Sequence, residues 1–162
     1  MHMRSKPPVS GVQYLLRETE NLVSKADLSD RITYVNRDFV RVSGFSEDEL
    51  LGAPQDIVRH PDMPAIVFED LWRTIRHDRA WAGMLKNRRK NGDYYWAEAS
   101  AAPLLKDGKV VGYTAMLARP DPWRAAQAEQ AYQAIMAGNS GLSVRDGVVV
   151  KQNVFSRFIT AL

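Results

Sequence analysis

Between residues 81 and 119 the chain carries two of the strongest hairpin signals a sequence can hold, Asn91-Gly92 and Asp107-Gly108. Such dipeptides accept the positive φ that tight turns between twisted strands demand. They divide the segment into three expected strands, 81–90, 93–105 and 109–119, which must lie side by side and antiparallel. The rest of the chain has to fit around that meander. Upstream, Arg31-Ile32-Thr33-Tyr34-Val35 has the β-branched and aromatic content of a strand. A partner strand is expected near 21–26, with 27–30 as the turn. Helical signals fill the interval. Residues 36–42 read as a short helix stopped by Gly44, and Ser46 with Glu49 reads as a capping box. Phe68, Leu71, Trp72 and Ile75 fall at i, i+3, i+4 and i+7, one apolar stripe on a helix over 64–77. Two strands, several helices and three strands resolve as an α+β layer: a five-stranded antiparallel sheet with helices across one face, enclosing a pocket.

The flanks read differently. Val9, Val12, Leu15 and Leu16 suggest a short amphipathic cap helix over 9–20, and Met1-His2-Met3 reads as an added start. Pro120-Asp121-Pro122 closes the sheet unit. Residues 123–137 are rich in Ala and Gln and read as a helix stopped by Gly138-Asn139. Residues 141–151 alternate around Asp146-Gly147, a third hairpin signal. The expected division is a cap segment (1–19), a sheet-and-helix unit (20–119) and a C-terminal helix with a connector (120–162).

The 162 residues, 45% of them hydrophobic, suffice for one proper core. There are no cysteines, so disulfides, thiolate metal sites and thiol chemistry are excluded. The net charge of +3 is dispersed apart from Lys86-Asn87-Arg88-Arg89-Lys90, which reads as a solvated hairpin end rather than a phosphate clamp. Nucleic acid is therefore not an expected partner. No apolar run reaches the length of a membrane-spanning helix, and no secretory signal is present. No nucleophile–base pair, metal cluster or phosphate-cradling glycine loop points to an enzyme.

The densest group of polar chemistry is Val58-Arg59-His60-Pro61-Asp62-Met63-Pro64. Pro61 restricts His60 to extended backbone, and Pro64 suits the first turn of a helix. The loop is stiff where a cation, an imidazole and a carboxylate cluster. On residue types alone, Asp62 favours capping the following helix, and Arg59 either pairs with Asp62 or meets an anion. Strand alternation sets Trp81, Gly83, Leu85 and Asn87 on one face, with Gly83 leaving room for a ring to approach the backbone. Ala97, Ala99 and Ala101 share a face too, as a cavity floor or as a tight helix–sheet contact. Periodicity alone makes Trp72 a core residue, Asn36 a helix cap and His77 a surface residue at a helix end.

Taken together, these residues resemble a known family. The succession Ile32-Thr33-Tyr34-Val35-Asn36, Phe39-Val40 with Ser43-Gly44-Phe45, and Glu49-Leu50-Leu51-Gly52 resembles the first half of a PAS domain. The loop 58–64, Phe68-Glu69-Asp70-Leu71-Trp72, Trp81-Ala82-Gly83, the run from Lys86 to Asp93 and Tyr95-Trp96 narrow the resemblance to the FAD-binding PAS domain of the aerotaxis receptor family. The likeness covers most of 20–119 and continues more weakly through 123–151. It implies a PAS fold that holds FAD without a covalent bond and reports redox state to a chemotaxis-type transducer. It further implies a homodimer, downstream HAMP and chemotaxis signalling domains, and a cytoplasmic domain in an inner-membrane-anchored protein. Carried over by position, Arg59, His60 and Asp62 match loop residues on which FAD binding depends. Asn36, Phe68, Trp72, Trp81 and Asn87 match residues that line or border the flavin pocket. A haem-binding gas sensor with His60 as axial ligand is an alternative, as is a ligand-free dimerisation module using Trp96 and the N-terminal helix. The flavin–cysteinyl adduct of blue-light modules of this fold is excluded by the absence of cysteine.

Overall fold

The meander forms as the turn signals require. In the computed structural model, which describes residues 7–139 and 141–152, β3 (Trp81–Arg88), β4 (Tyr94–Lys106) and β5 (Lys109–Ala118) are consecutive antiparallel neighbours. β1 (Asn21–Asp27) pairs with β5 and with β2 (Ile32–Val35), giving one sheet in the order β2-β1-β5-β4-β3. Asp107 and Gly108 take φ of 52° and 75°, the two positive values of a two-residue hairpin turn. The first hairpin differs from expectation. Arg89 N–H donates to the Asp93 carbonyl at 2.8 Å and only Gly92 has positive φ, so three residues form the loop. Lys90 is drawn out of the strand because its N–H donates to the Ser43 carbonyl at 2.8 Å.

Between β2 and β3 lie α1 (Arg37–Ser43), α2 (Glu47–Leu50) and α3 (Ala65–Arg76). Asn36 caps α1 with its side-chain carbonyl, Gly44 ends it in the left-handed region, and Ser46 and Glu49 make a complete capping box. Phe39, Val42, Leu50, Val67, Leu71 and Ile75 are buried with Leu22, Leu85 and Leu117 of the sheet. These helices and the inward face of the sheet form the main core.

The N-terminal cap helix expected over 9–20 does not form. Ser10 N–H donates to the Gly92 carbonyl, Tyr14 N–H to the Tyr94 carbonyl and Tyr94 N–H to the Val12 carbonyl, at 2.7–3.0 Å. The segment thus runs alongside the start of β4, where β5 has already ended and backbone groups would otherwise stay unpaired. Two β-branched valines and Gly11 at φ 74° oppose a helix there.

The C-terminal elements are α4 (Pro122–Met136) and a hairpin of β6 (Leu142–Arg145) and β7 (Val148–Lys151). α4 lies on the outer sheet face: Tyr132 stacks on Trp96 at 6.1 Å and its hydroxyl donates to the Met84 carbonyl at 2.7 Å. The hairpin turns around the β3 edge to meet α3. Among the described residues, no helix is long and apolar enough to cross a membrane.

Candidate functional site

Small side chains on the inward face of the sheet leave space that the helices cover without filling. The result is a cavity of about 160 Å³. Its floor is Ala99, Ala101 and Ala115, with Leu85 and Leu117 beside them; its walls are Phe68, Leu71 and Trp72 of α3 and Tyr113 of β5. Tyr113 meets Trp72 edge-on at 5.1 Å and donates its hydroxyl to Asp30 at 3.0 Å. Burial raises the Asp30 carboxyl above its ordinary range, and burial together with the Asp30 charge raises the Tyr113 phenol. The two side chains thus form one hydrogen-bonded corner of the cavity.

Two amide side chains supply polarity. Asn87 lines the cavity from β3, with Nδ2 donating to the Tyr95 hydroxyl at 3.3 Å; burial pushes that phenol up to about 12. Gln55, from the turn before Val58, also lines it. Its Nε2 donates to Ser24 Oγ at 3.3 Å, while its Oε1 is buried with no partner. An orphan buried carbonyl at a cavity wall is uncommon, because desolvating it without a donor costs about 1–3 kcal/mol.

The loop 58–64 straddles the β3 edge. Arg59 bridges to Asn87 through the backbone, and its guanidinium lies 3.6 Å from the centre of the Phe68 ring, at the cavity wall. His60 is also buried, but it turns the other way and meets the Tyr94 ring edge-on at 6.0 Å. Its Nδ1 accepts the Asp62 N–H at 3.0 Å, which fixes the neutral ring with its proton on Nε2. Burial first, then nearby Lys86, lowers its pKa. Asp62 does not cap α3, which begins without a side-chain cap. It accepts from Lys86 Nζ at 2.9 Å, and that hydrogen bond holds its carboxyl below the usual range.

Of the eight residues singled out in the sequence, the cavity therefore gathers Arg59, Phe68, Trp72 and Asn87. His60 and Asp62 brace the loop from outside. Asn36 caps α1 and ties β1, accepting from Val23 N–H and donating to the Asn21 carbonyl. Trp81 is buried, but its indole lies across Gly83, so the room expected beside that glycine is taken by the neighbouring side chain. Gln55, Asp30 and Tyr113 escaped the sequence reading. Tyr113 shares strand alternation with Ala115 and Leu117 and was reachable that way; Gln55 and Asp30 sit in turns, where no periodicity marks an inward side chain. The cavity opens beside Arg59 and Trp72 onto a shallow groove along α3 that includes Arg73, Arg76 and His77.

Residues 32–117 match a family model described as PAS fold. The aerotaxis receptor of Escherichia coli is 41% identical over 150 residues, 93% of this chain and 30% of that protein. The nitrogen fixation regulatory protein of Klebsiella pneumoniae is 26% identical over 103 residues, 63% of this chain and 21% of that protein. The chain thus spans less than a third of the length of either relative. Among solved structures, the dark state of the blue-light photoreceptor Aureochrome1 LOV aligns with TM-score 0.58 at 23% identity, covering 72% of this chain and 86% of that one. A PAS domain from Colwellia psychrerythraea aligns with TM-score 0.58 at 17% identity, covering 63% and 87%.

Proposed function

This chain belongs to the PAS family, on the aerotaxis-receptor branch, and from that premise we propose that its cavity holds FAD non-covalently and that the domain reports redox state to a chemotaxis-type transducer. The observation that carries this reading is the unpartnered Gln55 carbonyl in a cavity that also presents the Asn87 amide. A flavin ring offers donors and acceptors along its edge and two flat apolar faces. The residues present fit it: amides for the edge, Trp72, Phe68 and Tyr113 for the walls, and three alanines for the floor. When bound, FAD supplies reversible electron uptake with a change of charge at the ring edge. The chain's part is to shape, orient and respond. Asn87 and Gln55 hold the edge, and Arg59 closes the mouth while its backbone bridge keeps β3 in register with the loop. A change of hydrogen bonding at Asn87 would reach Lys86, the next residue, whose ion pair with Asp62 lies outside the sheet.

The reading extends to context. The homodimer, the HAMP and chemotaxis signalling partners, and the placement on the cytoplasmic side of the inner membrane all belong to the longer protein. The haem alternative lacks its ligand in the cavity, since His60 faces Tyr94. Absorption spectra of the purified protein, before and after dithionite, test the proposal. The expected result is the twin-banded spectrum of oxidised flavin, bleached on reduction, with FAD released into solution on denaturation. A colourless protein that gains no flavin on reconstitution overturns it.

A further inference from the structure

The Asp70 carboxylate is only 2% exposed, yet it collects donors from three separate parts of the chain. Trp81 Nε1 reaches it at 2.8 Å, the backbone N–H groups of Asp146 and Gly147 at 3.1 and 2.7 Å, and Arg73 at 3.1 Å. Asp146 and Gly147 take φ of 50° and 80°, a hairpin turn whose two successive N–H groups converge on the one carboxylate. Glycine is required for the fit, because a Cβ at Gly147 would overlap the Ala82 carbonyl oxygen. Asp70 lies in sequence among Phe68, Leu71 and Trp72, the α3 residues that wall the cavity. The helix therefore has the cavity on one side and the hairpin on the other. Trp81 serves the second side, across Gly83, and not the first.

We propose that Asp70 and Trp81 form a latch coupling the C-terminal hairpin to the cavity through α3, so that residues 142–151 are the first outward segment to register what the cavity holds. Only the identity of the ligand rests on the flavin reading. A buried carboxylate with all its donors in place has two discrete arrangements, seated and unseated, because losing the two turn amides strands a charge in the interior. Coupling of this kind is reciprocal: seating the hairpin favours the filled cavity as much as filling favours seating.

Hydrogen exchange by mass spectrometry on the whole chain tests the latch, with Gly147→Ala as the variant, since its added Cβ meets the Ala82 carbonyl at the β3 edge and unseats the turn while leaving the residues that line the cavity in place. Read with no flavin present, Gly147→Ala is expected to raise exchange both in 142–151 and in α3. Wild-type exchange in α3 overturns the latch. With FAD added, the wild-type hairpin is expected to become more protected, and Gly147→Ala to bind FAD about tenfold more weakly. Equal affinities, or hairpin exchange indifferent to FAD, overturn the coupling. A wild-type chain that binds no FAD at all removes the flavin reading instead, and the latch is then decided by the flavin-free comparison. Asp70→Asn provides a second variant, expected to reproduce the exchange pattern of Gly147→Ala.

Discussion

Gln55 and His60 are five residues apart, and both are polar groups in a nearly dry setting, yet they are solved in opposite ways. His60 gives its Nδ1 to Asp62 N–H; Gln55 leaves a carbonyl unpaired. Gln55→Met keeps the shape and removes the orphan, at the loss of one long hydrogen bond, Nε2 to Ser24 Oγ at 3.3 Å. It is expected to stabilise the FAD-free protein by about 1 kcal/mol, read as the urea midpoint, while weakening FAD binding about tenfold by titration. Loss of both stability and affinity would mean that the amide is structural. For His60 the sign follows from its lowered folded pKa. The unfolded chain protonates first, near pH 6.5, so stability is whole above that value and declines as pH falls through the lower folded value. The urea midpoint is expected to drop between about pH 7 and pH 5, and His60→Asn to flatten that drop. The carboxyl of Asp62, also lowered, acts only at more acidic pH and leaves this window clear. The loop's stiffness was legible from its prolines. Its straddling of an edge was not, because nothing local in Arg59-His60 says which side of a strand each will take.

At the scale of elements, turn chemistry proved the most readable signal and amphipathic spacing at a chain end the least. Asp107-Gly108 and Asp146-Gly147 form the hairpins that their residues dictate. The stripe of Val9, Val12, Leu15 and Leu16 is compatible with a helix, but the unpaired start of β4 claims the backbone first. Tertiary hydrogen bonding overrode a weak propensity. One substitution separates the two conformations. In a helix, Gly11→Ala would stabilise; at φ 74°, with nothing near the added Cβ, the strain is purely in the backbone. Gly11→Ala is therefore expected to lower stability by about 1 kcal/mol in a thermal or urea melt. Likewise the alanines of β4 left cavity floor and tight packing equally open. Only the facing side chains of α3 decide that Ala99 and Ala101 border empty space.

For the molecule as a whole, the sheet is sandwiched between different partners. α1 to α3 cover the inward face, α4 covers the outward one, and the N-terminal segment runs alongside the start of β4. The five strands and their antiparallel sense were legible in the sequence, because they rest on turns and alternation within short windows; the family was legible as a resemblance carried by motifs such as the loop 58–64 and Trp81-Ala82-Gly83. How the last 30 or so described residues attach was not, because it depends on Asp70, a buried acidic residue beside the apolar stripe of α3, meeting a turn 76 positions later. That attachment has a measurable consequence. A chain ending at Arg119 retains every strand of the five-stranded sheet but strips the outward cover from Trp96 and Met84. It also leaves the buried Asp70 carboxylate without its two turn amides. Uncompensated buried charge and fresh apolar exposure act in the same direction, so the shortened chain is expected to be less stable by about 3 kcal/mol or more. The intact chain is expected to unfold in one transition, with tryptophan fluorescence and far-ultraviolet circular dichroism coinciding. An early, separate loss of helix signal would show instead that α4 and the hairpin are carried by the sheet without contributing to its stability.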